Sequence, residues 1–339
     1  MNLFLFPEAA NCNNGYGFAV ERDFLRIKPS KDDIILWYTI LKKDDMHYIR
    51  DNDIIIQKNK MLSPKSVYNI IFGKDRTELL AKELYFLRGK SFDKIFCGDT
   101  IFYNAIRELF PNTYLHVRFH NCFARICDRK NLLGRTLDWK YDRKLKSMYK
   151  TERKIFNDLN AYKIFISDED RDYYVSMFGR NDDSESWLME PDLFSMNKYR
   201  NDFRYEKKIV WFGGVESHKK ASLEWFVNEV FPCILSRIPE VEFHLWGRGT
   251  DNYDNQSQHI YGHGFFDGDG VPLNNALYIN PDIIGGGVKI KLLNLIEAGV
   301  PFISSYFGFE GYSHDLIDNK YIIVEEEDKW AERIIEILK

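Results

Sequence analysis

The sequence NPDIIGGGVKIKLLNLIEAGVPFISSYFGFEG, residues 280–311, carries the pattern that decides the fold. Three glycines at 285–287 precede an apolar stripe at helical spacing, Gly-Val-Pro at 299–301 ends that helix, and an apolar run at 302–305 follows as a strand. The order is that of a βαβ unit. A glycine-lined helix start presents free backbone N–H groups and the positive end of the helix dipole, so this unit predicts an anion site. Glycines that only permit a turn with positive φ are the alternative interpretation.

Strand and helix patterns alternate along the rest of the chain. In the first half, strands are predicted at 3–6, 34–38, 54–56, 94–97, 114–119 and 164–167, and helices from residue 18 and at 77–88, 103–110 and 168–178. In the second half, strands are predicted at 208–212, 241–246, 258–261, 277–280, 302–305 and 321–324, and helices at 222–238, from 288 and from 328. This alternation predicts parallel sheets with helices on both faces. Because residues 183–208 are polar and aperiodic, we predict two doubly wound α/β domains, 1–195 and 196–339, facing each other across a cleft.

Composition excludes several classes of protein. The chain has 339 residues, of which 45% are hydrophobic and 29% charged, so it is globular rather than disordered. A net charge of −4 gives no overall attraction for nucleic acid, and we expect no nucleic-acid partner. The five cysteines form no CxxC pair, which indicates reduced thiols. With no apolar run of about 20 residues and a strand rather than a signal peptide at residues 3–6, we expect a cytoplasmic protein.

Residues 135–159 form a strongly basic segment that also carries Trp139. The segment contains eight lysines and arginines but only four aspartates and glutamates. A solvated helix face is the usual meaning of such a run. The alternative is a surface that meets an anionic lipid or a lipid-linked diphosphate, which would place the protein at the cytoplasmic face of the membrane.

The second half resembles a known family. Three segments carry the likeness, in this order: 210–249, which begins VWFGG, HIYGHGFF at 259–266, and 276–311. They are similar to the nucleotide-sugar-binding domain of retaining GT-B glycosyltransferases of family 4, especially the bacterial surface-polysaccharide branch. The first half is similar more loosely, through its glycine-containing first loop and the strand end LHVRFHN at 115–121. The resemblance implies two Rossmann-like domains. The first would lie on the acceptor side, and the second would bind the nucleotide sugar.

The resemblance also implies roles for particular residues. His120, at the end of the LHVRFHN strand, would contact the transferred sugar. In the family an arginine and a lysine five residues later hold the diphosphate; here the arginine is missing, so Lys219 would carry more of the charge. Of the two lysines in the opening stretch, the likeness favours Lys291, and we expect Lys289 to be solvated. The family has a glutamate where Asn294 stands, so either Asn294 or Glu297 would bind the ribose. The remaining expected donor-binding residues are Gly214, Gly247, Arg248, Gly286, Gly287 and Val288, and the expected acceptor-side loop is Asn14, Gly15, Tyr16 and Gly17.

The resemblance implies a retaining glycosyltransferase that moves a sugar from a nucleoside diphosphate, UDP or GDP, to a lipid-linked oligosaccharide or other glycan of a surface polysaccharide such as O-antigen or capsule. We expect neither a cofactor nor a metal. The Asp-x-Asp sequences at 168–170 and 267–269 match the metal motif of the other glycosyltransferase fold, but the doubled α/β layout does not suit that fold. The alternatives are a nucleotide-sugar epimerase of the same shape and a non-catalytic subunit that retains the fold.

Overall fold

The computed structural model describes residues 1–10, 15–39, 41–43, 46–57, 77–132, 139–189, 206–215, 217–265, 275–282, 287–297, 299–312, 321–324 and 326–339. The chain divides into two compact units, Met1–Met189 and Glu190–Lys339. The boundary predicted between 195 and 196, the predicted site residues Asn14 and Gly286, and the Asp-Gly-Asp sequence at 267–269 lie outside the described residues.

The first unit is built on a seven-stranded sheet in the order β3-β2-β1-β4-β5-β6-β7, in which every neighbouring pair is parallel. Its strands are β1 (Leu3–Phe6), β2 (Ile34–Thr39), β3 (Ile54–Gln57), β4 (Ile95–Cys97), β5 (Leu115–Phe119), β6 (Ala161–Phe165) and β7 (Ser184–Ser186). Its helices are α1 (Gly15–Ile27), α2 (Thr77–Glu83), α3 (Tyr103–Leu109), α4 (Phe123–Leu132), α5 (Trp139–Asn157) and α6 (Asp168–Phe178).

The unbroken apolar run of β1 is explained by the two cores that it joins. Leu3 and Leu5 belong to one hydrophobic cluster, whereas Phe4 and Phe6 belong to another. Successive side chains of a strand point to opposite faces, so a strand covered on both sides must be apolar throughout. On the second face, Phe6 stacks on Trp37 with ring centroids 4.8 Å apart.

The second unit has a six-stranded parallel sheet in the order β10-β9-β8-β11-β12-β13. Its strands are β8 (Lys208–Phe212), β9 (Glu242–Trp246), β10 (Ile260–Gly262), β11 (Leu277–Asn280), β12 (Phe302–Ser305) and β13 (Tyr321–Val324). Its helices are α7 (Ser217–Trp225), α8 (Phe231–Arg237), α9 (Ile290–Glu297), α10 (Tyr306–Phe309) and α11 (Trp330–Leu338). A π-helical segment, Phe226–Val230, joins α7 to α8 and ends two residues before Pro232, whose missing N–H interrupts the ordinary helical hydrogen bonds.

Each sheet contains a point where the strand order reverses. In the first unit it lies between β1 and β4, and in the second it lies between β8 and β11. The loops that leave neighbouring strands there run in opposite directions and open a crevice beyond the carboxyl ends of the strands, which is where open α/β sheets bind ligands. The fold therefore offers one candidate crevice in each unit.

Several predicted elements need correction. The helix predicted from residue 288 begins at Ile290, and the one predicted at 222–238 begins at Ser217. The strand predicted from 258 begins at Ile260, because Gln256–Gln258 forms a 3₁₀ turn and His259 has a φ of 56°. Three elements were not predicted: β7, whose three residues are polar, α4, and the single turn α10.

Helix α4 was not predicted, because the residue that caps its N-terminus lies in a distant part of the sequence. The buried carboxylate of Glu152 on α5 accepts hydrogen bonds from the backbone N–H groups of Phe123 (2.9 Å) and Ala124 (2.6 Å). A carboxylate is well suited to a helix N-terminus, where N–H groups lack partners within the helix. The sequence around residue 123 contains no signal for this cap, because Glu152 lies 29 residues further along the chain.

Candidate functional site

In the second unit, two glycine turns meet beyond β8 and β9. Gly213 and Gly247 both have positive φ, 138° and 132°. The Gly213 N–H donates to the carbonyl oxygen of Trp246 (2.8 Å), and the Val215 N–H donates to that of Arg248 (2.9 Å). A Cβ on Gly247 would lie 2.1 Å from the Gly213 carbonyl oxygen. The two turns therefore form one close backbone layer, with Gly213 at the crevice between β8 and β11.

Replacing Gly247 by alanine is expected to lower the free energy of unfolding by about 3 kcal/mol, through the strained φ and the clash with backbone. Urea unfolding of the two proteins measures this. Gly214→Ala is the control, because a Cβ there meets nothing within 4 Å and its φ is not in the positive range. Equal stabilities of Gly247→Ala and the wild type would contradict the close packing of the two turns.

Two lysines come together near this crevice. Lys291, on α9, has a side chain only 12% exposed, and its Nζ lies 3.4 Å from Oδ2 of Asp282 and 5.1 Å from the ring centre of Trp211. Burial, partly offset by Asp282 and reinforced by the positive charge of Lys219, lowers the pKa of Lys291 to about 8. Lys219, in the first turns of α7, is therefore near enough to act on Lys291 electrostatically. Both lysines were predicted from the sequence as site residues, whereas Asp282, which follows β11, was not.

The prediction that Lys289 is solvated was wrong. Lys289 is buried, its Nζ donates to the carbonyl oxygen of Gly287 (3.0 Å), and it lies 4.3 Å from the ring centre of Phe307. The prediction assumed that the helix already included residue 288, but Lys289 belongs to the turn before α9. There it closes the bend in which Gly287 has a φ of 63°.

The remaining predicted donor-binding residues lie around α9 and β9. Gly287 and Val288 precede α9, so their N–H groups belong to the turn and not to the first turn of the helix. Asn294 is exposed on α9, whereas Glu297 is partly buried near Tyr312, which donates a hydrogen bond to the Lys289 carbonyl oxygen. Arg248 is exposed after β9. The final residues in this group are Gly214 and Gly247, in the paired turns.

In the first unit, His120 follows the carboxyl end of β5 and is almost fully buried. Its Nε2 lies 2.9 Å from Oδ2 of Asp23 on α1. Asp23 also accepts a hydrogen bond from Nε of Arg118 (2.8 Å), so one carboxylate serves two basic side chains. Burial lowers the pKa of His120, but the hydrogen bond with Asp23 and the carboxylate of Asp99, 3.7 Å from Nδ1, outweigh it, and the pKa is raised.

The predicted acceptor-side loop forms the first turn of a helix. Gly15, Tyr16 and Gly17 open α1, so they are helical and not a loop. The Tyr16 hydroxyl donates a short hydrogen bond to Oδ2 of Asp99, which follows β4, and its ring packs edge-on against His120 with centroids 5.2 Å apart. Burial, together with the charge of Asp99, raises the pKa of Tyr16 well above its usual value, so the hydroxyl stays protonated. Sequence reasoning missed Asp23 and Asp99.

The Asp-x-Asp sequence at 168–170 has a structural role. It forms the first turn of α6, where the Ser167 hydroxyl accepts from the Asp170 N–H (3.2 Å) and Asp170 pairs with Arg125 (3.1 Å). Over the described ranges, no three His, Cys, Asp or Glu side chains form a group able to hold a metal ion.

Comparison with known proteins finds a family model that matches most of the second unit. Residues 206–339 match the family described as glycosyl transferases group 1. The chain is also 20% identical, over 221 residues, to an uncharacterized 44.6 kDa protein in the cps region of Klebsiella pneumoniae. That match covers 57% of this chain and 56% of the relative, so it spans about half of the relative's length.

Solved structures extend the comparison to both units. WaaG, a glycosyltransferase involved in lipopolysaccharide biosynthesis, is 14% identical with a TM-score of 0.58, covering 100% of this chain and 89% of that one. A structure described as trehalose-6-phosphate from E. coli bound with UDP-2-fluoro glucose is 10% identical with a TM-score of 0.56, covering 99% and 94%. The predicted class, two doubly wound α/β domains of the GT-B type, is thereby confirmed. The chain has the GT-B glycosyltransferase fold, and its second unit matches the glycosyl transferases group 1 family.

Proposed function

We propose that the protein is a retaining, metal-independent glycosyltransferase that moves a sugar from a nucleoside-diphosphate sugar to a lipid-linked oligosaccharide or another glycan acceptor in surface-polysaccharide assembly. The family match of the second unit supports glycosyl transfer. A relative from a cps region and a structural neighbour involved in lipopolysaccharide biosynthesis support the surface-polysaccharide setting. Retention of the anomeric configuration is part of the proposal because the sequence resembles a retaining family.

The observation that carries the proposal is the lysine pair of the second unit. Lys219 and Lys291 lie close enough to interact, with Asp282 as the counter-charge of Lys291. Among the residues that the structure describes, these two ammonium groups and the one carboxylate of Asp282 leave an excess positive charge. Since isolated charge is costly to bury, a site of this kind is completed by an anionic ligand. A diphosphate supplies that charge at the crevice beyond β8 and β11.

The same lysines fit the chemistry of the leaving group. As the bond from the sugar to the diphosphate breaks, negative charge grows on the diphosphate, and preorganised positive charge lowers the barrier. In this proposal Lys219 and Lys291 supply that charge, with backbone N–H groups of Gly287 and Val288 as further donors. His120 of the first unit contributes a hydrogen bond to the sugar or to the developing charge. Asn294 and Glu297 remain the two candidates for the ribose hydroxyls, and Arg248 the candidate for the base.

A panel of nucleotide sugars tests the proposal. UDP- and GDP-linked hexoses are incubated with the protein and a lipid-linked glycan extract, and nucleoside diphosphate release and the stereochemistry of the new linkage are followed with and without EDTA. We expect donor binding in the micromolar to millimolar range and retention of configuration. If no donor binds and none is hydrolysed or transferred, the proposed function is wrong.

We also propose that α5 brings the protein to an anionic membrane. Lys146, Lys150 and Lys154 follow one another at four-residue spacing and are all exposed, so they form one stripe. Of the acidic residues near the stripe, Glu152 is buried as the cap of α4 and Asp158 pairs with Arg107, whereas Asp142 pairs with Lys130 and with Lys146 of the stripe itself. In the described parts of the chain, no helix is long and apolar enough to cross a membrane.

Reversing the charge of the stripe, by Lys146→Glu, Lys150→Glu and Lys154→Glu together, is expected to weaken binding to phosphatidylserine vesicles by about a hundredfold or more, at about 1 kcal/mol per lysine. Vesicle sedimentation measures it. The control triple, Lys31→Glu, Lys90→Glu and Lys220→Glu, changes the net charge equally at other exposed positions. Equal losses in both triples, or equal binding to neutral vesicles, would show that α5 is not the contact.

A further inference from the structure

The ring of His120 lies between the carboxylates of Asp23 and Asp99, which are at different distances from its two nitrogens. Nε2 lies within hydrogen-bond distance of Asp23, at 2.9 Å, whereas Nδ1 is 3.7 Å from Oδ2 of Asp99. The side chain of His120 is 3% exposed. In the described part of the chain, Nδ1 is buried and has no hydrogen-bond partner. A buried polar atom without a partner is uncommon, and at a strand end it indicates a place for a ligand atom.

Asp23 is itself fixed in place by Arg118. The guanidinium donates to Asp23 through Nε (2.8 Å), to the carbonyl oxygen of Phe165 through one terminal nitrogen (2.6 Å) and to that of Trp187 through the other (3.0 Å). Burial raises the pKa of Asp23, but the charge of Arg118 and the contact with His120 outweigh it, and the pKa is lowered. Asp23 is therefore an anion at neutral pH, in one orientation.

Asp99 has its acceptor positions occupied by other groups. Its Oδ1 accepts from the Ile101 N–H (2.9 Å) and from the Thr100 hydroxyl (3.3 Å). Its Oδ2 accepts the short hydrogen bond from Tyr16. Asp99 thus caps the 3₁₀ turn that follows β4 and holds Tyr16, while it remains beyond hydrogen-bond distance from Nδ1.

We propose that Asp23 is a positioning residue that holds the Nε2 proton of His120, so that Nδ1 is the nitrogen that hydrogen-bonds to a hydroxyl of the sugar substrate. This inference rests on the proposed function. In the neutral imidazole, Nε2 carries the proton and Nδ1 accepts a hydrogen bond from the hydroxyl. In the imidazolium, Nδ1–H donates to the hydroxyl oxygen. Asp23 keeps the ring orientation the same in both forms.

The charges around His120 favour the imidazolium. Asp23 and the hydroxyl of Tyr16 face the ring from α1, Asp99 faces it from the loop after β4, and Arg118 lies two residues back on β5. Of these, Arg118 alone opposes the proton. The active form under the proposal therefore includes a charged His120, and loss of the Asp23 charge lowers the pKa of His120.

The wild-type protein provides the first test. Ring-nitrogen NMR shifts are followed against pH in ¹⁵N-histidine-labelled protein, and His120→Gln assigns the signal among the 8 histidines. We expect the neutral form of His120 to carry its proton on Nε2 and the titrating proton to leave Nδ1. A neutral form with the proton on Nδ1 would overturn the proposal, whether or not glycosyl transfer has been demonstrated.

The matched pair Asp23→Asn and Asp99→Asn gives the second test. Asp23→Asn should mix the two neutral tautomers, lower the pKa of His120 and reduce kcat by about a hundredfold, while nucleoside diphosphate affinity stays unchanged. Asp99→Asn should leave the tautomer as in the wild type. If Asp23→Asn keeps the wild-type tautomer and pH profile, Asp23 is merely structural. If that variant fails to fold, the NMR measurement of the tautomer in the wild-type protein alone decides between the proposal and its rejection.

Discussion

Replacing Lys219 by alanine is expected to lower kcat/KM by about a hundred- to a thousandfold in the glycosyl-transfer assay, because the variant loses one of the two cations that stabilise the leaving diphosphate. The effect should fall mainly on kcat, since the charge on the diphosphate grows as the bond breaks. Turnover with the donor found in the nucleotide-sugar panel measures it, and thermal unfolding checks that the variant is folded.

The neighbouring residue provides a matched control for this prediction. Lys220 is exposed on the same helix, α7, and pairs with Glu224 one turn along, at 3.4 Å. Lys220→Ala removes the same side chain and charge one residue away, so its kcat/KM should stay within about twofold of the wild type. Turnover of Lys219→Ala equal to that of Lys220→Ala would remove Lys219 from the site.

The fold could be predicted to a large extent because its information is local. Buried parallel strands such as β1 and β11 are continuous apolar runs, and their neighbours in the chain are turns and amphipathic helices. Elements that depend on distant partners could not be predicted in this way. The cap of α4 lies on another helix, and the three polar residues of β7 become a strand only because the edge of β6 pairs with them.

The same distinction explains what was found and what was missed among the candidate site residues. His120 and Lys291 are marked by their places at a strand end and in a glycine-rich βαβ unit. Asp23 pairs with His120 across 97 positions, which requires knowing how α1 faces β5. The contact between Asp282 and Lys291 depends on the side of α9 on which Lys291 lies, and this requires knowing the residue at which the helix begins. The predicted start was two residues too early, and for the same reason Lys289 was predicted to be solvated.

The affinity for the donor nucleotide sugar is expected to fall about tenfold for each pH unit above pH 8, because the pKa of Lys291 in the free protein is lowered to about 8. The sign follows from linkage. The diphosphate binds the charged form of Lys291 and raises its pKa, so binding takes up a proton wherever the free lysine has lost one. Below pH 8 the lysine is already charged, and this contribution to binding is complete.

Isothermal titration in buffers of different ionisation enthalpy measures the proton uptake directly, and a nucleotide sugar is preferred as the ligand because its diphosphate does not titrate in this range. Lys291→Arg should bind with little pH dependence, since a guanidinium stays charged. Lys291→Met should bind weakly at every pH. If the wild type and Lys291→Met show the same dependence, another group titrates and Lys291 does not contact the diphosphate. If only the wild type weakens above pH 8, the buried lysine opposite Asp282 is the cation that the donor requires.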